Sequence, residues 1–344
     1  MNRLNISKST TDAELLRYKQ YMLTKITRIY NLNIKRITDV YINDLRTNRF
    51  KRFALINISK QYKNDVNNLL ENYNLDKKRI VNYTPLQINS VKNHKALLVG
   101  INYIDVVHNN KKVELKGCIN DIKNMTEKLN GTNKFSIVPL TDETPIKPTR
   151  ENIITELTKL LRNANPGDLL YFHYSGHGSN IPDLSGDELN GADDIMFALD
   201  MKTISDDELK KIINENLKKD VTLVTFFDCC SSGTILDLKY QYLDSFSSEK
   251  DSLTINPLGE ETEGRVFCIS GCGDIQSSAD TYISKQYQGA ATESFLYCLN
   301  KNSNCTWRDL LVRMRSDLKT RGFTQIPQFS TGKFEGLDQS IFFL

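Results

Sequence analysis

The sequence predicts an α/β protein: a mostly parallel sheet flanked by helices on both faces, preceded by a mainly helical, basic N-terminal extension. Three observations carry this prediction. From residue 95 onward, short apolar runs alternate with helix-period segments, the pattern of strands joined by crossover helices. Residues 1–92 hold 18 Lys+Arg against 7 Asp+Glu, a balance of +11, whereas residues 93–344 hold 27 against 35, a balance of −8. Glycine and cysteine first occur at Gly100 and Cys118, so the composition changes where the charge does. The 344 residues therefore divide into an extension or prodomain at 1–92 and an α/β domain at 93–344.

In the extension, Leu15, Leu16, Met22, Ile26 and Ile29 fall on one helix face, and Tyr62, Val66, Leu69, Leu70 and Tyr73 repeat the spacing. Between them Phe53, Leu55, Ile56 and Ile58 read as extended. The basic face is read as solvated. No nucleic-acid motif accompanies it, and the absence of Cys and His there excludes a zinc finger.

In the second part, Lys95–Asn102 is an apolar strand and Cys118–Leu129 a helix. Phe135–Leu140 is a strand, and Thr149 caps a helix through Arg162 whose face is Ile153, Ile154, Leu157, Leu160 and Leu161. Leu169–Tyr174 is a strand after a Pro-Gly-Asp turn, Asp206–Leu217 a helix, and Val221–Phe227 the most strand-like run of all. Arg265–Ser270 is a further strand, with helices near 290–300 and 306–320.

Composition excludes several classes. The chain is 39% hydrophobic and 25% charged, which suits a soluble core-forming protein. No run approaches the roughly 20 apolar residues of a membrane span. The first residues lack the apolar centre of a secretory signal, and seven irregularly spaced cysteines make no disulfide framework. The expectation is a cytoplasmic protein.

Two strand ends carry chemistry. Leu169–Tyr174 runs into Ser175-Gly176-His177-Gly178, and Val221–Phe227 into Asp228-Cys229-Cys230-Ser231-Ser232-Gly233. A histidine near glycines is ordinarily a satisfied loop residue, and a cysteine ending a strand ordinarily a small buried hydrophobe. Together, on neighbouring strands of one sheet edge, they would supply thiol catalysis: an imidazolium lowers the thiol pKa and returns the proton to the leaving group. Of the four histidines His94, His108, His173 and His177, only His177 stands at such a strand end, His173 lying inside the strand.

The segments KALLVGINY, KGCINDIKNM, LLYFHYSGHG, GDELNGADD, DDEL, FFDCCSSGTILDL, ISGCGDIQSSAD and GAATESFLYCL resemble, in order and spacing over about residues 95–343, the metacaspases. These are caspase-fold cysteine peptidases that cleave after Arg or Lys. The short stretch after Leu238 resembles the type I architecture, with a large-subunit part at about 93–238, a linker at 239–264 and a small-subunit part at 265–344. The extension does not resemble the family's Pro/Gln-rich or zinc-finger prodomains.

The resemblance implies roles residue by residue. Cys230 is the nucleophile and His177 the base, with Gly178 and Cys230 supplying oxyanion-hole N–H groups. Asp121, Ser175 and Asp228 form the pocket for the basic side chain. Asp193, Asp206, Asp207 and Asp237 form a site for activating Ca²⁺. Cys229 replaces the family's Ser and Ser231 its His, and neither change removes a dyad member. Two carboxylates in the pocket agree with a cationic substrate, and clustered aspartates with a hard cation. The expected partners are peptides or proteins with Arg or Lys at the cut, with no membrane or nucleic-acid partner, and the expected state is monomeric. Lys250, central in an acidic and Ser-rich linker read as exposed, is the candidate for self-cleavage, Lys239 being tied down beside Asp237. A non-catalytic caspase-fold binding or regulatory protein is the alternative reading.

Overall fold

The computed structural model describes residues 12–47, 52–82, 92–132, 135–182, 192–230, 235–242, 253–256, 259–271, 280–283, 286–302, 305–335, 337 and 341. Its contacts divide the chain into two units, Met1–Leu86 and Gln87–Leu344.

The first unit is a pair of helices, α1 (Asp12–Thr47) and α2 (Arg52–Asn82). They run antiparallel: Lys19 reaches the Val81 carbonyl, Thr27 bonds Tyr73, Tyr30 bonds Asp76, Thr38 bonds Tyr62 and Tyr41 bonds Ser59. Met22, Ile26, Tyr30, Leu69 and Ile80 are buried in the seam. Tyrosine–hydroxyl pairs replace apolar contacts over much of its length, so apolar periodicity underestimates both helices. Phe53, Leu55, Ile56 and Ile58, expected to be extended, belong to α2 instead. Their short apolar run fits either state, and no Gly or Pro occurs between residues 52 and 82 to stop the helix.

The second unit runs β1 (His94–Gly100), β2 (Val107–His108), β3 (Lys111–Lys112), α3 (Cys118–Thr132), β4 (Ser136–Thr141), α4 (Arg150–Arg162) and β5 (Leu169–Ser175). It continues with β6 (Gly178–Pro182), β7 (Ala192–Phe197), β8 (Thr203–Ser205), α5 (Asp206–Asn216), β9 (Thr222–Asp228), β10 (Tyr240–Tyr242) and β11 (Leu253–Ile255). Then follow β12 (Arg265–Ser270), β13 (Asp280–Ile283), β14 (Gln286–Gly289), α6 (Ala290–Lys301), α7 (Trp307–Thr320) and β15 (Gln328–Thr331).

The main sheet has eight strands in the order β11-β10-β15-β12-β9-β5-β1-β4. From β12 to β4 every pairing is parallel, and β15, β10 and β11 add antiparallel pairings at one edge. Both faces are covered. Leu97, Val99, Leu170, Phe172, Leu223 and Phe227 pack with Ile153, Leu157 and Leu161 of α4 and Leu209 and Ile213 of α5. On the other face Phe226 meets Phe295 of α6, and Phe267 stacks on Trp307 of α7. Strands buried on both faces lose the in-out alternation, hence the continuous apolar runs. Helix starts follow their caps: Thr149 Oγ1 accepts from Asn152 N–H, Ser205 Oγ from Glu208 N–H, and Thr306 forms a reciprocal capping box with Asp309.

The described residues of the linker 239–264 differ from the expected exposed loop. Residues 240–242 and 253–255 pair as β10 and β11, and Tyr240, Tyr242, Leu253 and Ile255 are buried. Three-residue strands are too short to show a period in the sequence; the neighbouring β15 creates them by offering its free edge.

Candidate active site

The carboxyl ends of β5 and β9 lie side by side, because the register sets Ser175 directly opposite Asp228. His177 follows one strand and Cys230 the other. Gly178 lies against the second turn so closely that a side chain there would collide with the Cys230 carbonyl. The missing Cβ would also stand 3.1 Å from both Cβ and Sγ of Cys229. The sequence thus brings the histidine and cysteine segments into contact through a residue that only glycine can fill.

Strand alternation separates the two thiols. Asp228 faces the side covered by α6, and Cys229 turns back into the core beside Phe227 and Leu236, fully buried. Cys230 is only half-buried. His177 Nε2 lies 2.7 Å from the Val113 carbonyl. A carbonyl only accepts, so Nε2 carries the proton and Nδ1 is left as the basic nitrogen. His173, by contrast, is buried among Tyr171 and Phe226, and burial pushes its pKa down to about 3. It remains neutral within the core.

Asp121, Ser175 and Asp228 converge. Ser175 Oγ donates to Asp121 Oδ2 at 2.6 Å, and Gly289 N–H donates to both Asp121 oxygens at 2.9 and 3.1 Å. Thr292 gives its N–H and its hydroxyl to Asp228 Oδ2, each at 2.8 Å. Gly289 is the N-cap of α6 and Thr292 lies in its first turn, so the helix's free amides and positive end face two buried carboxylates. A side chain at Gly289 would collide with Asp228 and stand 2.8 Å from Asp121 Oδ2. Gly289 and Thr292 were not singled out in the sequence. The only local signal was a small-residue cluster, Gly289-Ala290-Ala291-Thr292, opening a helix.

Of the four aspartates proposed for a metal, three gather. Asp206, Asp207 and Asp237 can each place a carboxylate oxygen within 4.8 Å of the others, and Asp193 lies outside that group. Asp237 has φ +43, a left-handed conformation unfavourable for a side chain other than glycine and tolerated by aspartate. Asp206 is also structural, accepting from Asp194 N–H at 2.6 Å and Asp207 N–H at 2.7 Å. Lys210 Nζ stands 3.9 Å from Asp237 Oδ2. Three hard carboxylate donors with one lysine leave net negative charge and suit a hard divalent cation.

Lys239 is buried and offers no accessible bond, whereas Lys250 lies outside the described residues. Among the described residues no helix is long and apolar enough to cross a membrane.

Residues 94–239 match the model of the metacaspase, peptidase C14 domain family. The chain is 36% identical over 278 residues to Metacaspase-2 of Trypanosoma brucei brucei, covering 75% of this chain and 77% of that protein. It is 33% identical over 299 residues to Metacaspase-1 of Sclerotinia sclerotiorum, covering 72% of this chain and 68% of that protein. Its fold is similar to the crystal structure of a Geobacter sulfurreducens protein at 22% identity, with a TM-score of 0.54 over 73% of this chain and 98% of that one.

Proposed function

The chain belongs to the metacaspases and is a cysteine endopeptidase, and from that premise we propose that it cleaves after Arg or Lys in a calcium-dependent manner through Cys230 and His177. The observation that carries the specificity is the pair of buried carboxylates, Asp121 in the first turn of α3 and Asp228 at the end of β9, which converge beside the strand ends that precede His177 and Cys230. Ser175, Gly289 and Thr292 all donate hydrogen bonds to these two acids, which favours their charged form. Such a site favours a guanidinium or ammonium and disfavours an acidic side chain.

In the reaction His177 Nδ1 takes the proton of Cys230, and the thiolate attacks the carbonyl of the Arg or Lys residue. The resulting oxyanion is bound by the N–H groups of Gly178 and Cys230. Collapse breaks the C–N bond, the imidazolium protonates the leaving amine, and a thioester remains on Cys230. Water, deprotonated by His177, hydrolyses the thioester and returns the thiol. Asp206, Asp207 and Asp237 would hold Ca²⁺, which supplies positive charge that lets these carboxylates pack together.

Self-processing is proposed at Lys250. It is supported by the linker's Ser, Asp and Glu content and by the burial of the alternative Lys239. Incubation of wild type, Cys230→Ala and Lys250→Ala with calcium, followed by fragment masses, tests it; an intact but active wild type removes this step. The main reading is tested with fluorogenic peptides ending in Arg, Lys or Asp, in calcium and in chelator. Turnover of the Arg and Lys peptides in calcium alone is expected. Equal turnover of the Asp peptide defeats the pocket, and full activity in chelator defeats the calcium requirement.

A further inference from the structure

We propose that Tyr103 and Tyr174 are positioning residues for the reaction, a two-hydroxyl clamp that holds the His177 backbone by both its N–H and its carbonyl. The inference rests on His177 being the base. Five short contacts define the clamp. His177 N–H lies 3.0 Å from the Tyr103 hydroxyl, which lies 2.7 Å from the Phe197 carbonyl. The Tyr174 hydroxyl lies 2.8 Å from the His177 carbonyl and 2.8 Å from that of Phe197. The two hydroxyls are 3.1 Å apart.

Each hydroxyl has one proton, and the following assignment gives every group a partner. His177 N–H donates to Tyr103, Tyr103 donates to Phe197, and Tyr174 donates to His177. Phe197 N–H adds a second donor to the His177 carbonyl at 3.1 Å. Both rings are fully buried, and burial raises both hydroxyl pKa values, so the protons stay in place across the working pH range.

Tyr103 reaches His177 in two further ways. Its ring lies 4.7 Å from the imidazole, centroid to centroid, at 36°. Its carbonyl accepts from Val106 N–H, and the Val106 carbonyl accepts from Val113 N–H, so the same short ribbon carries the carbonyl that fixes Nε2. Tyr103 is itself locked. It has φ +53, and Asp142 accepts from the amides on either side, Asn102 at 2.8 Å and Ile104 at 3.0 Å. A tyrosine held at positive φ is strained, and strain persists where the surroundings over-determine it. What this strain achieves is a hydroxyl aimed at the backbone of the base.

A group that only positions the base affects the chemical step and not substrate binding. The test uses the full chain carrying Tyr103→Phe, Tyr174→Phe or both, with kcat expressed per titrated active thiol. Tyr171→Phe serves as control, because it removes an equally buried hydroxyl from the same strand on the opposite face, near Met125. The expected result is a fall in kcat of about tenfold or more for each clamp variant, with KM within about twofold. The double variant should lose less than the product of the single losses, since the hydroxyls share Phe197. The control should keep its kcat.

Clamp variants with kcat within about twofold of wild type overturn the proposal, as does an equal loss in Tyr171→Phe. Should Tyr103→Phe not fold, Asp142→Asn loosens Tyr103 while leaving its hydroxyl, and an unchanged kcat there overturns the proposal equally. His177→Ala separates the two readings. If it is active the dyad fails, whereas an inactive His177→Ala beside unimpaired tyrosine variants removes the clamp alone.

Discussion

Thr292 presents its backbone N–H and its hydroxyl to the same oxygen of Asp228, each at 2.8 Å, from a helix that belongs to the last quarter of the chain. An acid at the end of β9 thereby accepts from the first turn of α6, and its convergence with Asp121 at Gly289 exists only when the two parts of the second unit are packed together.

Asp121→Asn or Asp228→Asn should lower kcat/KM on an Arg peptide by about 30-fold or more, because losing one charged partner of a desolvated cation costs about 2–5 kcal/mol. Thr292→Val, which keeps the amide and removes the hydroxyl, should lose less. Thermal melts should show all three variants folded. An unchanged Arg preference in both aspartate variants defeats the assignment.

The two thiols should behave oppositely. Cys230→Ala should abolish peptidase activity, while Cys229→Ser should leave most of it, since Cys229 is buried and faces the core. Steady-state turnover of both variants checks this, and the reverse outcome means that the catalytic turn is misread.

Calcium dependence should respond to the three-aspartate group. Asp207→Ala should remove activation by calcium. Lys210→Met should lower the calcium concentration that gives half-maximal effect, because the lysine at 3.9 Å from Asp237 competes electrostatically with a bound cation. Calcium titration followed by calorimetry reads both without relying on turnover. Unchanged binding in Asp207→Ala excludes this site.

His173 should make the fold acid-sensitive. The unfolded chain takes up a proton near pH 6.5 that the folded chain refuses until about pH 3. Stability is therefore lost as pH falls through that window, by about 1.4 kcal/mol per pH unit for one proton. His173→Leu should flatten the fall relative to wild type in urea titrations at pH 7, 5.5 and 4.5. Identical pH slopes would show that His173 is protonated in the folded protein.

Much of the fold was legible in the sequence. The five parallel strands β12, β9, β5, β1 and β4 are buried on both faces, and their runs of Val, Leu, Ile and Phe stand out without alignment to anything. Helix α4 announced itself through Thr149 and an apolar face. The short strands β6, β7, β8, β10 and β11 did not, because three to six residues without a continuous apolar run give no measurable period. Residues 53–58 misled because an apolar run that short does not separate strand from helix; the antiparallel partner α1 decides.

The site divides in the same way. The sequence by itself determined which residues carry reactive groups and that His177 and Cys230 each end a buried strand, because strand length and hydrophobicity are local properties. Tertiary structure alone decided that β5 and β9 are neighbours in register, that Cys229 is fully buried in the core while Cys230 is only half-buried, and that Asp206, Asp207 and Asp237 gather their carboxylates. It also supplied Gly289 and Thr292 to the acids and Tyr103 and Tyr174 to the histidine, over separations of up to 168 residues. Those partners are backbone amides and hydroxyls, which almost every stretch of chain possesses. Only packing selects which of them is desolvated beside a charge, and so which of them matters.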